Sequence, residues 1–217
     1  MGLWERLGSR RPESDPSPSG GVTVVDPVYA TKALRKFLSA VTAREAPVIL
    51  DLGPVVGGNV SFFGEQLGCK IFVEDVFSDL DRHVREETTE AFPDFLKKRF
   101  PQRDGTVDGV LCWDIMDYLD RPSAQALADQ LTRLLRPEGA LLGFFATTQV
   151  RDLRYTKYFI VDDLNLRYRP YSAARGRQAV LPNRDIIRLF TTLRVSESFL
   201  LQNNIREILF RKPAYAL

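Results

Sequence analysis

Between residues 48 and 146 short apolar runs alternate with stretches of helical spacing, and this alternation limits the folds open to the chain more than any other feature. Strands are expected over 48–52, 70–74, 108–113 and 139–146. Helices are expected over 58–67, 77–90 and 122–135, the last opened by "RPS" and closed by "RPEG". The strands are apolar throughout rather than alternating, as a parallel sheet requires when helices cover both faces. Upstream, Val28, Ala33, Leu34, Phe37, Leu38 and Val41 repeat at helical spacing, so a first helix is expected from Pro27 to about Arg44. Downstream, "PNRDIIRLFTTL" fits a helix, and "RVSESFLL" and "REILFRK" fit two strands joined by a short "QNN" turn. An open α/β sheet finishing in a hairpin satisfies all of these patterns.

At 217 residues, 44% hydrophobic and 27% charged, the chain can bury one core but is short for two. The run "GSRRPESDPSPSGG" cannot bury enough apolar surface to offset the entropy of ordering, so residues 1–26 are expected to form a flexible tail and 27–217 one domain. Within the tail, Leu3, Trp4 and Leu7 could make a short amphipathic turn. Thirty basic and 28 acidic residues leave a formal charge of +2, which gives no general pull toward nucleic acid or anionic membrane. Cys69 and Cys112 both fall in apolar runs, which suits free thiols in a reducing compartment. No run approaches membrane-spanning length and the N-terminus lacks a signal-like core, so a soluble, cytoplasmic protein is expected. Gly2 opens no myristoylation motif, because Arg6 stands where Ser or Thr is needed.

In an open α/β sheet a ligand sits beyond the carboxyl ends of the strands, where the order of connections reverses. The turn in "VILDLGPVVGGN" is the first place to look. Gly53, Gly57 and Gly58 would let a ligand approach the main chain, and the helix that follows offers free N–H groups and a partial positive charge. Glycines alone could equally make a tight turn. The next strand, "GCKIFVED", ends in Glu74 and Asp75 at the distance where a carboxylate accepts ribose hydroxyls. Strand alternation lets only one of them face a ligand; counting from Gly57 favours Glu74, and counting from Gly68 favours Asp75, toward which the reading leans.

With "VDGVLCWDIMDYL" and "LLRPEGALLGFF" added to "LDLGPVVGG" and "VED", residues 48–146 resemble the class I S-adenosylmethionine-dependent methyltransferases, and the hairpin extends the resemblance loosely to 212. The resemblance implies a single-domain Rossmann-like fold: a mostly parallel seven-stranded sheet with a C-terminal antiparallel hairpin and helices on both faces. It implies S-adenosyl-L-methionine as cofactor, with Asp51, Gly53 and Gly57 lining its methionine and ribose end. Glu74 or Asp75 would hold the ribose, and Cys112, Trp113 and Asp114 would border the methyl-donor pocket. Two departures stand out. Val55 replaces the usual middle glycine beside a stiffening Pro54, and the acid usual after the third strand has only Asp94 as a substitute.

Methyl transfer from a sulfonium is an in-line displacement that needs alignment and exclusion of water more than catalytic side chains. Where the acceptor must lose a proton, Asp114 is the candidate base, while Asp117 and Tyr118 read as a helix cap or first turn. His83, in the charged run "SDLDRHVREETTE", reads as a surface residue, and no metal site is expected. Residues 147–181 interleave seven basic residues with four tyrosines, which suits a lid over a planar or phosphorylated small molecule, or simply the cover of a sheet edge. Nucleic acid would demand a broader basic face. Two other readings compete: a methyltransferase-like regulatory or cofactor-binding domain without turnover, and a nicotinamide-dependent oxidoreductase. The latter is disfavoured because Val60 and Ser61 stand where its third glycine should open the helix.

Overall fold

The computed structural model describes residues 26–148, 154–176 and 180–214. Of the tail expected over 1–26, only Asp26 lies within them. The elements in chain order are β1 (Val28–Ala30), α1 (Leu34–Val41), β2 (Val48–Asp51), α2 (Gly57–Ser61), β3 (Lys70–Val73), α3 (Val76–Arg85), α4 (Phe92–Arg99), β4 (Val107–Trp113) and α5 (Arg121–Leu134). They continue with β5 (Leu135–Ala146), β6 (Arg154–Ile160), β7 (Asn165–Ser172), α6 (Asn183–Leu189), β8 (Arg194–Leu200) and β9 (Ile205–Arg211).

The main sheet has the order β3-β2-β4-β5-β9-β8. Its first four strands are parallel, and β9 inserts antiparallel between β5 and β8. From β2 the chain steps outward to β3 and then returns to the other side of β2 as β4, so the order reverses between β2 and β4. Buried side chains fill both faces. Leu50, Val110, Cys112 and Leu141 pack with α3 to α6, while Ile49, Leu111, Trp113 and Leu142 pack with α1. Gly109 lets α1 sit close: a Cβ there would meet Phe37 and Val41 at 2.7 Å.

The sheet holds six strands, not seven. The missing one would lie outside β3, from the segment between α3 and β4. That segment, "EETTEAFPDFLKKRFPQRDGT", has two prolines and a dense set of charges, so it offers no apolar run for a strand and folds instead as a 3₁₀ turn and α4. β3 is left as the edge, four residues long and begun by Lys70, whose ammonium lies 4.8 Å from the Phe72 ring.

Two further expectations need correction. The helix expected from Pro27 begins at Leu34, because Val28–Ala30 pair with β7. The expected "RPEG" turn lies inside β5 as an irregularity: Val107 pairs with Leu135 and Gly109 with Ala140, and Glu138 takes a φ of 64°. The expected lid is a hairpin, β6 and β7, completed by β1 into a three-stranded antiparallel sheet; residues 149–153 and 177–179 lie outside the described residues.

Candidate active site

The carboxyl ends of β2 and β4 meet at the point of reversal, and Asp51 closes the first of them. It is 2% exposed, and its Oδ1 accepts the Gly53 N–H at 2.9 Å and the Trp113 indole N–H at 2.6 Å. Burial raises the Asp51 carboxyl to about 6; the two hydrogen bonds oppose that rise and the charge of Asp75 adds to it. Gly53 has no room for a side chain, since a Cβ would lie 2.9 Å from Trp113 Cδ1. Gly57 and Gly58 have open space where their Cβ atoms would be, at the start of α2. Pro54 is buried and Val55 is 67% exposed, so the residue replacing the usual middle glycine turns its side chain to solvent.

Trp113 ends β4 with a φ of 48°, a left-handed conformation rare for a bulky residue. Its indole stacks on Tyr158 of β6 with ring centroids 5.0 Å apart and planes 4° from parallel, and meets Phe144 edge-on at 5.6 Å. Asn59 in α2 clasps the same strand. Its side-chain amide donates to the Tyr158 carbonyl at 2.8 Å, and its Oδ1 accepts the Ile160 N–H at 2.9 Å.

The two candidate ribose acids part company. Glu74 pairs with Arg99 and accepts from Gln102 at 2.8 Å, whereas Asp75 caps α3 by accepting the Ser78 N–H at 3.0 Å. Partial burial raises the Asp75 carboxyl, against the hydrogen bond from Ser78. Beside Asp75 a cavity of about 570 Å³ opens between α3 and the β6–β7 hairpin, with Phe77, Asp81, Tyr155 and Tyr171 among its walls. Burial pushes the phenols of Tyr155 and Tyr171 well up, so both stay protonated and able to donate.

Asp114 is buried, within reach of the Tyr118 hydroxyl at 3.4 Å; that hydroxyl donates to the carbonyl of Arg154 in β6 at 2.9 Å. Asp117 lies in a 3₁₀ turn, Ile115–Tyr118, and accepts the Ala146 N–H at 2.8 Å, a structural tie between that turn and β5. Cys112 is fully buried in the core on the face of β4 opposite Trp113, and desolvation pushes its thiol far up. His83 corrects the expectation of a surface residue: it is 8% exposed, with its ring 4.9 Å from Phe92 and 4.8 Å from Phe95. Asp94 is exposed on α4 and bonded to Lys97. Among the described residues no group of His, Cys, Asp and Glu is placed to hold a metal ion.

The structure therefore gathers Asp51, Gly53, Trp113 and Asp114 at the carboxyl ends of the neighbouring interior strands β2 and β4, with Asp75 beside them, and buries Cys112 away on the other face of β4. Sequence reasoning missed Asn59, Tyr158 and Arg99. The interleaving of basic residues and tyrosines was the one hint to this strand; Tyr155 and Tyr158, three residues apart, are buried on opposite faces of β6.

No protein-family model matches the chain. A probable biofilm formation methyltransferase of Pseudomonas putida, WspC, is 34% identical over 99 residues, which is 43% of this chain; the match covers 23% of that protein's length. Among solved structures, the PH0226 protein of Pyrococcus horikoshii superposes with a TM-score of 0.51 at 16% identity, over 83% of this chain and 88% of its own. A Burkholderia thailandensis 1,6-didemethyltoxoflavin-N1-methyltransferase superposes with a TM-score of 0.48 at 14% identity, over 83% of this chain and 78% of its own. By its sheet order and its superposition on the PH0226 protein the chain has an α/β, Rossmann-like methyltransferase fold, and over 99 residues it is similar to part of a probable methyltransferase much longer than the stretch it matches.

Proposed function

We propose that residues 27–217 act as one S-adenosylmethionine-dependent methyltransferase domain, with 147–181 as its lid and a small molecule as acceptor. The observation that carries this reading is the meeting of Asp51 and Gly53 with Trp113 and Asp114 where the strand order reverses. The donor set suits the cofactor: a buried carboxylate for an ammonium, bare main chain at Gly57, and a second carboxylate, Asp75, for ribose hydroxyls. When bound, the cofactor supplies an electrophilic methyl group on a sulfonium. Asp51 would then fix the ammonium, Asp75 the ribose, and Asp114 would take the proton of an acceptor that must lose one.

The cavity beside Asp75 has the volume of a small-molecule site, and the partly exposed Tyr171, held protonated, offers a donor and a ring face to a planar acceptor. The near-balanced charge gives no support to a nucleic-acid acceptor. Among the described residues no helix is long and apolar enough to cross a membrane, and with two thiols kept apart from disulfides we assign a cytoplasmic location. A second reading, a cofactor-binding or regulatory domain without turnover, is favoured by one observation: the Trp113 indole covers Gly53. Calorimetry with S-adenosylhomocysteine, with NADH as the control, followed by methyl transfer from a labelled donor into a metabolite extract, tests the assignment. Micromolar binding and a labelled product are expected, binding without product selects the second reading, and absence of binding overturns both.

A further inference from the structure

We infer that Trp113 is a gate over the donor site and that Asn59 is the latch linking this gate to the lid. The inference rests on the methyl-donor reading above. In the arrangement described, the indole occupies the face of Gly53 and takes up the Asp51 carboxylate oxygen that also holds the turn. While the indole stays there it fills the space on the Cβ side of Gly53, where a carbon would lie 2.9 Å from Trp113 Cδ1, and it holds Asp51 Oδ1, so a donor that uses this side must displace it.

The indole is not resting passively. Its residue sits in the left-handed region at φ 48°, where only surrounding contacts hold a bulky L-residue, and those contacts are the Asp51 hydrogen bond, the Tyr158 stack and Phe144. Release of the stack removes a contact that holds the strained backbone, so the closed arrangement can give way to one with the indole withdrawn. Tyr158 belongs to β6, and β6 is fastened to the helix after the glycine turn by both halves of the buried Asn59 amide. The donor turn, the gate and the lid strand are therefore one connected unit. An ammonium placed at Asp51 replaces the indole N–H as its partner, which gives a ligand the differential affinity needed to favour the open state.

The chain has two tryptophans, so Trp4→Phe leaves emission that reports Trp113 alone. In that background S-adenosylhomocysteine is titrated by calorimetry and by fluorescence, and the titration is repeated in Trp113→Ala and Asn59→Ala. Opening moves the indole out of its buried stack, so its emission shifts to the red on binding. Both variants destabilise the closed form and are expected to bind about tenfold more tightly or better, since apparent affinity rises with the fraction of open protein. Asn59→Ala retains the tryptophan, so its emission still reports the gate, and thermal melts of both variants confirm that they fold. Binding seen only in the variants also supports the gate, while removing turnover from the native chain. If the parent binds with unchanged Trp113 emission and the variants bind equally or more weakly, Trp113 is a wall and the gate is wrong, although the donor site survives. If neither the parent nor either variant binds, the methyl-donor reading fails and takes the gate with it.

Discussion

Replacing Asp51 by asparagine tests the electrostatics of the site without changing its shape. The asparagine Oδ1 can still accept from Gly53 and Trp113, so packing is kept and only the titration is lost. Burial lifts the Asp51 carboxyl from an ordinary 3.8 to about 6, so the folded state holds the proton more firmly than the unfolded one. The sign follows directly. The contribution of this group to stability is complete below the unfolded value and is lost as pH rises through about 6. A shift of about two units corresponds to about 3 kcal/mol in full, of which about 2 kcal/mol falls between pH 4.5 and pH 8. The variant lacks this loss. Urea denaturation of both proteins at the two pH values, followed by circular dichroism, should therefore show the stability of Asp51→Asn relative to the parent rising by about 2 kcal/mol at the higher pH. The same variant should bind S-adenosylhomocysteine more weakly, because a neutral amide holds an ammonium less well than a carboxylate does. A difference that is the same at both pH values, or that narrows at pH 8, would refute the buried, uncompensated carboxylate.

Three other outcomes are expected. Gly109→Ala should cost about 1–3 kcal/mol in chemical denaturation, because its methyl group would press on Phe37 and Val41 at 2.7 Å and force α1 outward. Asp75→Ala should weaken S-adenosylhomocysteine binding in calorimetry by more than about 1 kcal/mol, the cost of losing a hydrogen bond to a charged group, while Glu74→Ala leaves it nearly unchanged because Glu74 is already committed to Arg99 and Gln102. Cys112 should resist iodoacetamide in the native protein at pH 8 and react only on unfolding, as mass spectrometry of the peptides would record, since its thiol is fully buried and held protonated.

The strands β2 to β5 were legible because a parallel core strand needs an unbroken apolar run, and the antiparallel hairpin β8–β9 because two strand-like runs flank the short "QNN" turn. α5 was legible from its Pro at the start and its apolar spacing, and Asp120 caps it through the Ser123 N–H at 3.0 Å. What stayed hidden depends on partners distant in sequence. Val28–Ala30 read as helix because their apolar spacing is local, while the pairing that makes them a strand lies at 165–167. His83 read as surface because its neighbours in sequence are charged, yet its ring packs against Phe92 and Phe95 of the following helix, α4. The seventh strand was inferred from resemblance, and the prolines and charges of 86–106 were the local signal against it. At the site, the sequence narrowed the acids to Glu74 and Asp75 but could not reveal that α4 brings Arg99 to one of them.

The hairpin proposed as the lid is tied down at several points, which restricts how a donor could enter. Glu207 of β9 is fully buried and accepts the N–H groups of Lys32 and Ala33 at 2.8 and 2.9 Å, pinning the segment between β1 and α1 to the main sheet. Arg35 pairs with Asp163 in the loop between β6 and β7, and Asp81 of α3 accepts the Ala174 N–H just after β7. Removing a partner of the buried Glu207 would strand a carboxylate in the core, so these ties do not open cheaply. The Trp113–Tyr158 stack is different in kind, because it joins two side chains whose rotation breaks no strand pairing. In the gate proposed above the two rings turn and Asn59 releases β6 while the β6–β7 and β1–β7 pairings stay in place, so hydrogen exchange should report loss of protection at the Ile160 N–H on ligand binding while both ladders keep theirs.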